Sequence, residues 1–164
     1  MANVLLSTLG LTLVALAALA LTIARGRVSV ASVARIRLVA IAAILFQLGH
    51  FVEEAVNHFY VRFPELLGLA PWSREFFLTF NLFWLAAWIL AVVAINVFGR
   101  ISVFALWFLA IASMANGVIH PLFAFAVGGY FPGLWTSPFI GILGVVLFRA
   151  LIIGGKTGRA VAQQ

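Results

Sequence analysis

The chain carries a cluster of ionisable side chains in a stretch that is otherwise apolar: His50, Glu53, Glu54 and His58. A charged group at the centre of a bilayer costs at least about 2.5 kcal/mol, so such residues usually face a cavity or a partner and mark a function. Histidine and glutamate bind divalent metals and also move protons. The stretch therefore predicts metal binding or proton transfer, and a His–Glu lock that only fixes helix packing is the alternative.

Helical geometry places these groups on one side of a helix. At about 100° per residue, the polar side chains of this stretch fall within an arc about 140° wide, and the opposite face is apolar. They are Gln47, His50, Glu53, Glu54, Asn57 and His58. The polar face is predicted to point into a helix bundle.

A later apolar stretch offers a complementary face. Ser113, Asn116 and His120 lie at helical spacing, and the rise from Ile101 to His120 is about 29 Å, which brings His120 to the depth of the carboxylate pair. Pro121 removes one backbone donor and could kink this helix. We expect His120 to share a cavity with Glu53 and Glu54.

The spacing indicates which of these groups can bind one metal ion. His50 and His58 are about 12 Å apart along a helix, whereas His50 and Glu54 are one turn apart. Two histidines and one carboxylate are a common catalytic zinc set with an open position. We predict His50, Glu54 and His120 as ligands of a divalent metal such as zinc.

The remaining polar residues receive supporting roles. Glu53, beside the ligands, is predicted to act as general base, and Glu54 belongs to the same catalytic pair. Contacts to the site or to the substrate are expected from Asn57, His58, Asn81, Ser113 and Asn116. Glu75 lies about 240° from Asn81 on a regular helix, and its place in a first helical turn is explained by the helix dipole.

Composition requires that these residues lie in a membrane bundle. Hydrophobic residues make up 65% of the 164-residue chain and charged residues 9%, with a mean hydropathy of +1.21, whereas soluble domains are about half apolar and a quarter charged. One span needs about 20 apolar residues. We predict an all-α transmembrane domain over residues 1–164 with about five helices: Val4–Ala24, Leu38–His58, Phe76–Phe98, Ile101–Val127 and a short Pro138–Ile153.

The basic residues indicate the orientation of this bundle. They concentrate in the first connection, from Arg25 to Arg37, and in the tail after Arg149. The positive-inside rule then places the N-terminus outside and the C-terminus in the cytoplasm, as in a bacterial inner or plasma membrane. The connections Tyr60–Glu75 and Gly128–Trp135 are predicted to be interfacial loops on the outer side.

Charge and cysteine content exclude several classes of function. The net charge of +6 is divided among connections and forms no continuous basic patch, so no nucleic-acid partner is expected. There are no cysteines, which excludes disulfides, iron–sulfur clusters and thiolate metal sites. The expected partners are membrane lipids and a lipophilic small molecule; the oligomeric state is left open.

The string His50-Phe51-Val52-Glu53-Glu54 resembles the signature of the HXXEE-domain family of small bacterial integral membrane proteins. With Asn81, Asn116 and His120 the resemblance extends over residues 38–125, and it implies a metal-dependent membrane enzyme. The family pattern also includes a glutamate associated with an asparagine. This sequence has no clean Asn-x-x-x-Glu, so the resemblance implies no role for Glu75.

Three functions follow from these observations. The first is a metal-dependent hydrolase of a lipophilic ester, amide or related substrate. The second is a metal-free isomerase or binding protein for lipids or sterols, in which Glu53 and Glu54 share a proton; His50-x-x-x-Glu54 is similar in kind to the EXPERA group of sterol isomerases and sigma-2-type proteins. The third is a proton-coupled carrier, since glutamates and histidines also form proton relays.

Overall fold

A computed structural model describes residues 8–161 of the chain, with side chains as far as residue 155. The regular secondary structure of this part of the chain is entirely helical, without a β-strand. The helices are α1 Leu9–Arg25, α2 Val30–Val56, α3 Phe59–Leu66, α4 Arg74–Val93, α5 Ile95–Phe98, α6 Arg100–Ala126 and α7 Ser137–Val161. The predicted all-α bundle is confirmed.

Four of the described helices are long and apolar enough to cross a membrane: α2, α4, α6 and the part of α7 over Ser137–Gly155. Helix α1 is apolar but shorter, with 17 residues. The predicted first span, Val4–Ala24, corresponds to α1, and its residues 4–7 lie outside the described part of the chain. These lengths and compositions are compatible with a membrane protein.

Helix α6 occupies the centre of the bundle. It packs against α1, α4 and α7, while α2 packs mainly against α7 and α4. The middle of α6 is the most buried part of the chain, and Leu106, Trp107 and Leu109 have no exposed surface. Helices α6 and α7 approach closely where Gly117 faces Gly141, because a Cβ added to Gly117 would lie 2.7 Å from the Gly141 Cα. Small residues permit such backbone contact between membrane helices.

The predicted limits of the second span were wrong at both ends. Helix α2 begins at Val30, so Arg35 and Arg37 lie within it and not in the connection. The Arg37 guanidinium donates to the carbonyl oxygens of Val92 at 3.0 Å and Val93 at 3.2 Å. A cation that satisfies the terminal carbonyls of α4 is favoured there by the helix dipole. At the other end α2 stops at Val56, because the chain turns at His58 into a left-handed conformation with φ 58°.

The other predicted limits also need correction. Helix α7 is not short, because it continues through Gly154, where a Cβ would lie 3.1 Å from side-chain atoms of Ile36 and Ser32; a glycine lets α7 pack closely against α2. The third predicted span is broken at Ala94, which separates α4 from α5. The connection Tyr60–Glu75 is not simply a loop, since it includes most of α3. Helix α6 runs through Pro121 without interruption.

Candidate metal centre

Three ionisable side chains from two central helices meet inside the bundle. Glu54 Oε1 lies 3.5 Å from His50 Nε2 and 3.4 Å from His120 Nε2. The exposed fractions of His50, Glu54 and His120 are 0%, 6% and 2%, and one donor atom from each lies within 4.8 Å of the other two. The structure thus brings together the three predicted ligands in a group that could hold a metal ion.

The orientation of His120 is set by the loop between α6 and α7. Its Nδ1 lies 2.6 Å from the carbonyl oxygen of Pro132, and a carbonyl oxygen can only accept a hydrogen bond. The proton of a neutral His120 ring is therefore on Nδ1. Its Nε2 then carries a lone pair, and this lone pair is on the side of Glu54.

His50 is oriented by the same loop through a hydroxyl group. Thr136 Oγ1 lies 2.6 Å from Glu53 Oε2 and 2.7 Å from His50 Nδ1. A hydroxyl has one proton to donate, and an ionised carboxylate only accepts. Thr136 therefore donates to Glu53, so His50 Nδ1 donates to Thr136. The lone pair of a neutral His50 ring is then on Nε2, as in His120.

These protonation states leave a negatively polarised space between the three groups. Two Nε2 lone pairs and a carboxylate oxygen face one another. The Asn116 amide, 3.5 Å from His50 Nε2, is a neutral donor to one of these lone pairs, so all three acceptors are satisfied together only when a cation lies between them. Both a proton and a divalent metal meet this condition. A ligand histidine whose other ring N–H donates to an oxygen is the usual arrangement at zinc sites, and two imidazoles with one carboxylate leave a position open on a tetrahedral ion.

Glu53, which was predicted to act as general base, is fully occupied by hydrogen bonds from the loop between α6 and α7. Its Oε1 accepts from the Tyr130 hydroxyl at 2.9 Å and the Trp135 amide at 3.1 Å, and its Oε2 accepts from the Thr136 amide at 2.9 Å and the Thr136 hydroxyl. A carboxylate offers about four lone-pair sites. All of them are occupied in Glu53, so none is left to accept a proton from water. Glu53 instead fixes the loop, and through Thr136 it fixes His50.

Gly133 brings the loop backbone against both imidazole rings. A Cβ at this position would lie 2.5 Å from His120 Nδ1 and 2.7 Å from His50 Cε1. Gly133 also has φ +88°, a conformation that side-chain-bearing residues rarely adopt. Glycine is required here for space and for backbone conformation, and it closes one side of the site.

The segment from Gly128 to Thr136, here called the covering loop, is itself held by α3. Arg62 donates to the carbonyl oxygen of Tyr130 at 3.1 Å, and its guanidinium lies 5.4 Å from the centre of the Phe131 ring. Phe131 is 1% exposed. The segment was predicted to be an interfacial loop, and its aromatic and glycine residues do not indicate that it orients His50 and His120. The run of glycine and proline before Thr136 indicates a structured turn, but not its partners.

The Tyr130 hydroxyl is perturbed by its place in this loop. Partial burial raises its pKa, and the hydrogen bond to the Glu53 carboxylate raises it further, to about 12. Both effects disfavour the phenolate, because that form would be desolvated and repelled by Glu53. Tyr130 therefore remains a hydrogen-bond donor to Glu53 at neutral pH.

Asn116 is adjacent to the ligands, as predicted. Its Nδ2 lies 3.5 Å from His50 Nε2. Ser113, one turn earlier, is 1% exposed, and its hydroxyl has no hydrogen-bond partner among the described residues. Asn81 donates to the carbonyl oxygen of Phe77 at 3.0 Å.

Three further residues lie away from the ligands. Asn57 donates to the backbone oxygen of Glu53 at 2.8 Å and so closes the end of α2. His58, predicted on the polar face, lies outside α2 and is exposed. The centre of its ring is 5.7 Å from the centre of the Tyr60 ring. Glu75 is exposed in the first turn of α4.

A partly open cavity of about 210 Å³ extends from the ligands into the bundle. Glu54 and His120 line it at one end, together with Asn116, and most of the remaining lining is aromatic. Trp84 stacks on Phe108 in this wall, with ring centres 4.0 Å apart. The buried cluster of polar side chains is therefore continuous with an apolar chamber.

Comparison of the chain with models of known protein families, with curated proteins and with solved structures finds no match.

Proposed function

We propose that this protein is a metal-dependent hydrolase of the membrane, which acts on a lipophilic substrate at His50, Glu54 and His120. One observation supports this proposal above the others. Each imidazole donates its Nδ1 proton to an oxygen of the covering loop, so both Nε2 lone pairs converge with the Glu54 carboxylate. The segment from His50 to Glu54 also resembles the HXXEE signature, and this resemblance agrees with the proposal.

The residues of the site have different roles in this proposal. A divalent ion held by the three ligands, zinc being the best match to the donor set, would supply Lewis-acid chemistry that polarises a carbonyl group and acidifies water. The Asn116 carboxamide is placed to orient a polar group of the substrate. Glu53 is saturated by the covering loop, whereas Glu54 lines the cavity and presents its Oε1 to the two imidazoles, so Oε2 of Glu54 is the carboxylate oxygen available for proton transfer.

Metal analysis of the purified protein tests this proposal. Wild-type protein, purified in detergent and loaded with zinc, should retain about one ion per chain after desalting. His50→Ala and His120→Ala should lose it. The matched control is His58→Asn, which removes the exposed histidine at a left-handed position that asparagine tolerates and should retain the ion.

The three possible failures have different meanings. Wild-type protein that binds no divalent metal above the level of His50→Ala would disprove the metal site. Equal loss of metal in His58→Asn would show that binding does not depend on the internal cluster. Hydrolysis of a lipid ester or amide that survives chelation would show that the reaction does not use the metal and would remove the metal-dependent assignment.

The aromatic cavity favours a second candidate, a metal-free isomerase or binding protein for lipids. Here the cation between the imidazoles and Glu54 would be a proton, and Glu54 would exchange it with the ligand. Glu53 and Glu54 bind different partners, so a proton shared between the two carboxylates is not part of this version. A co-purified lipid in protein that binds no metal would favour it over the hydrolase.

We also propose an orientation for the bundle. The arginines at the end of α1 and the start of α2, from Arg25 to Arg37, together with Arg100 and Arg149, place those ends in the cytoplasm by the positive-inside rule. The covering loop and α3 then lie on the outer side of a bacterial inner or plasma membrane. The metal ligands would be approached from the outer half of the bilayer.

A further inference from the structure

The cavity beside the ligands has an uneven distribution of polar groups. Glu54, Asn116 and His120 lie together where α2 meets α6, and the walls beyond them are formed largely by rings such as Phe80 and Trp84. A ligand that fits this chamber has one polar end and an apolar remainder.

The walls of the cavity belong to two helices that flank α6. Leu11 and Val14 of α1 line one side, and Phe80 and Trp84 of α4 line the other. Both helices pack on α6, so the cavity lies in the gap between them. The cavity is partly open, and an opening between two apolar helices of a membrane bundle would let a lipid enter sideways without leaving the bilayer.

The volume of the cavity limits the shape of the ligand. Its 210 Å³ exceeds the roughly 150 Å³ of an engineered apolar cavity that accepts benzene, but it is below the roughly 300 Å³ at which pockets for drug-sized ligands begin. A rigid fused-ring sterol cannot bend to follow such a gap. Part of a flexible hydrocarbon chain can follow the gap and leave its remainder in the lipid.

We propose that this cavity binds a single hydrocarbon chain of a membrane amphiphile, with the carbonyl group at the head of that chain beside Glu54, His120 and Asn116. Chain binding rests on the apolar walls and does not require the metal. The placement of the carbonyl group rests on the proposed hydrolase function. A simple fatty amide has both parts of this ligand.

Photolabelling tests the inference. The probe is a fatty amide with a diazirine at the chain terminus, added to protein in phosphatidylcholine vesicles, and the labelled residues are mapped by mass spectrometry. We expect label on cavity rings such as Phe80, Trp84 and Phe108. Ala115→Phe, which fills the cavity from α6, should lower the yield at least about tenfold, a loss of about 1.4 kcal/mol in binding.

The controls separate cavity binding from contact with bulk lipid. Ala86→Phe adds the same ring at an exposed position of α4 and should leave the yield unchanged. Val14→Phe narrows the cavity from α1, so it gives an independent measurement if Ala115→Phe fails to fold. Label spread over lipid-facing residues, with no decrease in either cavity variant, would overturn the proposal. A cholesterol diazirine probe that labels the same rings equally well would also overturn it.

A metal-deficient variant distinguishes this inference from the proposed function. His50 does not line the cavity, so His50→Ala should keep the photolabel while it loses the metal. If the wild type is photolabelled but binds no metal, the chain-binding site is supported and the metal-dependent hydrolase is refuted. If the wild type binds metal but is not photolabelled in the cavity, the metal site is supported and the chain-binding site is refuted.

Discussion

Gly133 lies so close to His120 that a Cβ on the glycine would be 2.5 Å from the imidazole Nδ1. Real Cβ atoms essentially never approach heavy atoms this closely. The contact shows that the covering loop is part of the site and does not merely lie above it.

Gly133→Ala should therefore displace both imidazoles and strain the loop. The left-handed backbone alone costs about 1–3 kcal/mol for a residue with a side chain, so we expect a lower melting temperature as well as weaker zinc binding. Gly129→Ala is the matched control, because a Cβ there meets nothing within 4 Å. Equal zinc affinity and thermal stability in the two variants would contradict the described contact.

Thr136 should control zinc affinity although it does not touch the ion. Thr136→Val removes the hydroxyl that joins Glu53 to His50 but keeps the shape of the side chain, and loss of such outer-shell partners weakens metal binding about 10–100-fold. Thr136→Ser keeps the hydroxyl and should bind zinc nearly as well as wild type. Competition with a zinc-selective dye measures both affinities. Wild-type affinity in Thr136→Val would show that His50 is oriented by other contacts.

Tyr130 should titrate far above the range of an ordinary tyrosine. Its folded-state pKa of about 12 exceeds an unfolded value near 10. Its contribution to stability is therefore complete below pH about 10 and lost as the pH rises towards about 12. Tyr60→Phe leaves Tyr130 as the one tyrosine, and its phenolate absorbance can be followed directly. Glu53→Gln in that background should lower the pKa of Tyr130. A Tyr130 pKa near 10 in the Tyr60→Phe variant alone would exclude the described hydrogen bond.

The orientation of the bundle can be tested with single cysteines, since the chain has none of its own. Ala31→Cys, exposed at the start of α2, should react with an impermeant maleimide only after the membrane is opened. Ser73→Cys, exposed before α4, should react in intact cells. The reverse pattern would invert the proposed topology.

The sequence was sufficient to predict which ligands meet. Within a helix the positions of His50 and Glu54 follow from a fixed rotation per residue, and the depth of His120 follows from a fixed rise. These regularities hold because a helix in lipid must satisfy its own backbone groups. The bundle and the convergence of its two polar faces were predictable for this reason.

The partners supplied by the covering loop could not be predicted in this way. Irregular backbone has no period, so nothing in the sequence indicates that the Pro132 carbonyl reaches His120 or that the Thr136 hydroxyl reaches Glu53. Glu53 could be recognised as functional, but its role depends on contacts with residues far along the chain. His58 was misplaced because regular helical geometry was extended past the turn at Asn57.

The bond between His50 and Thr136 joins residues separated by 86 positions, and this has a consequence for biosynthesis. His50 is inserted with α2, but its ring is oriented only after α6, the covering loop and the start of α7 have followed. A nascent chain that stops before Thr136 has His50, Glu54 and His120 but lacks the hydroxyl that fixes the tautomer of His50. Tight metal capture should therefore be a late event in assembly, reached only when the last helix has docked on the others.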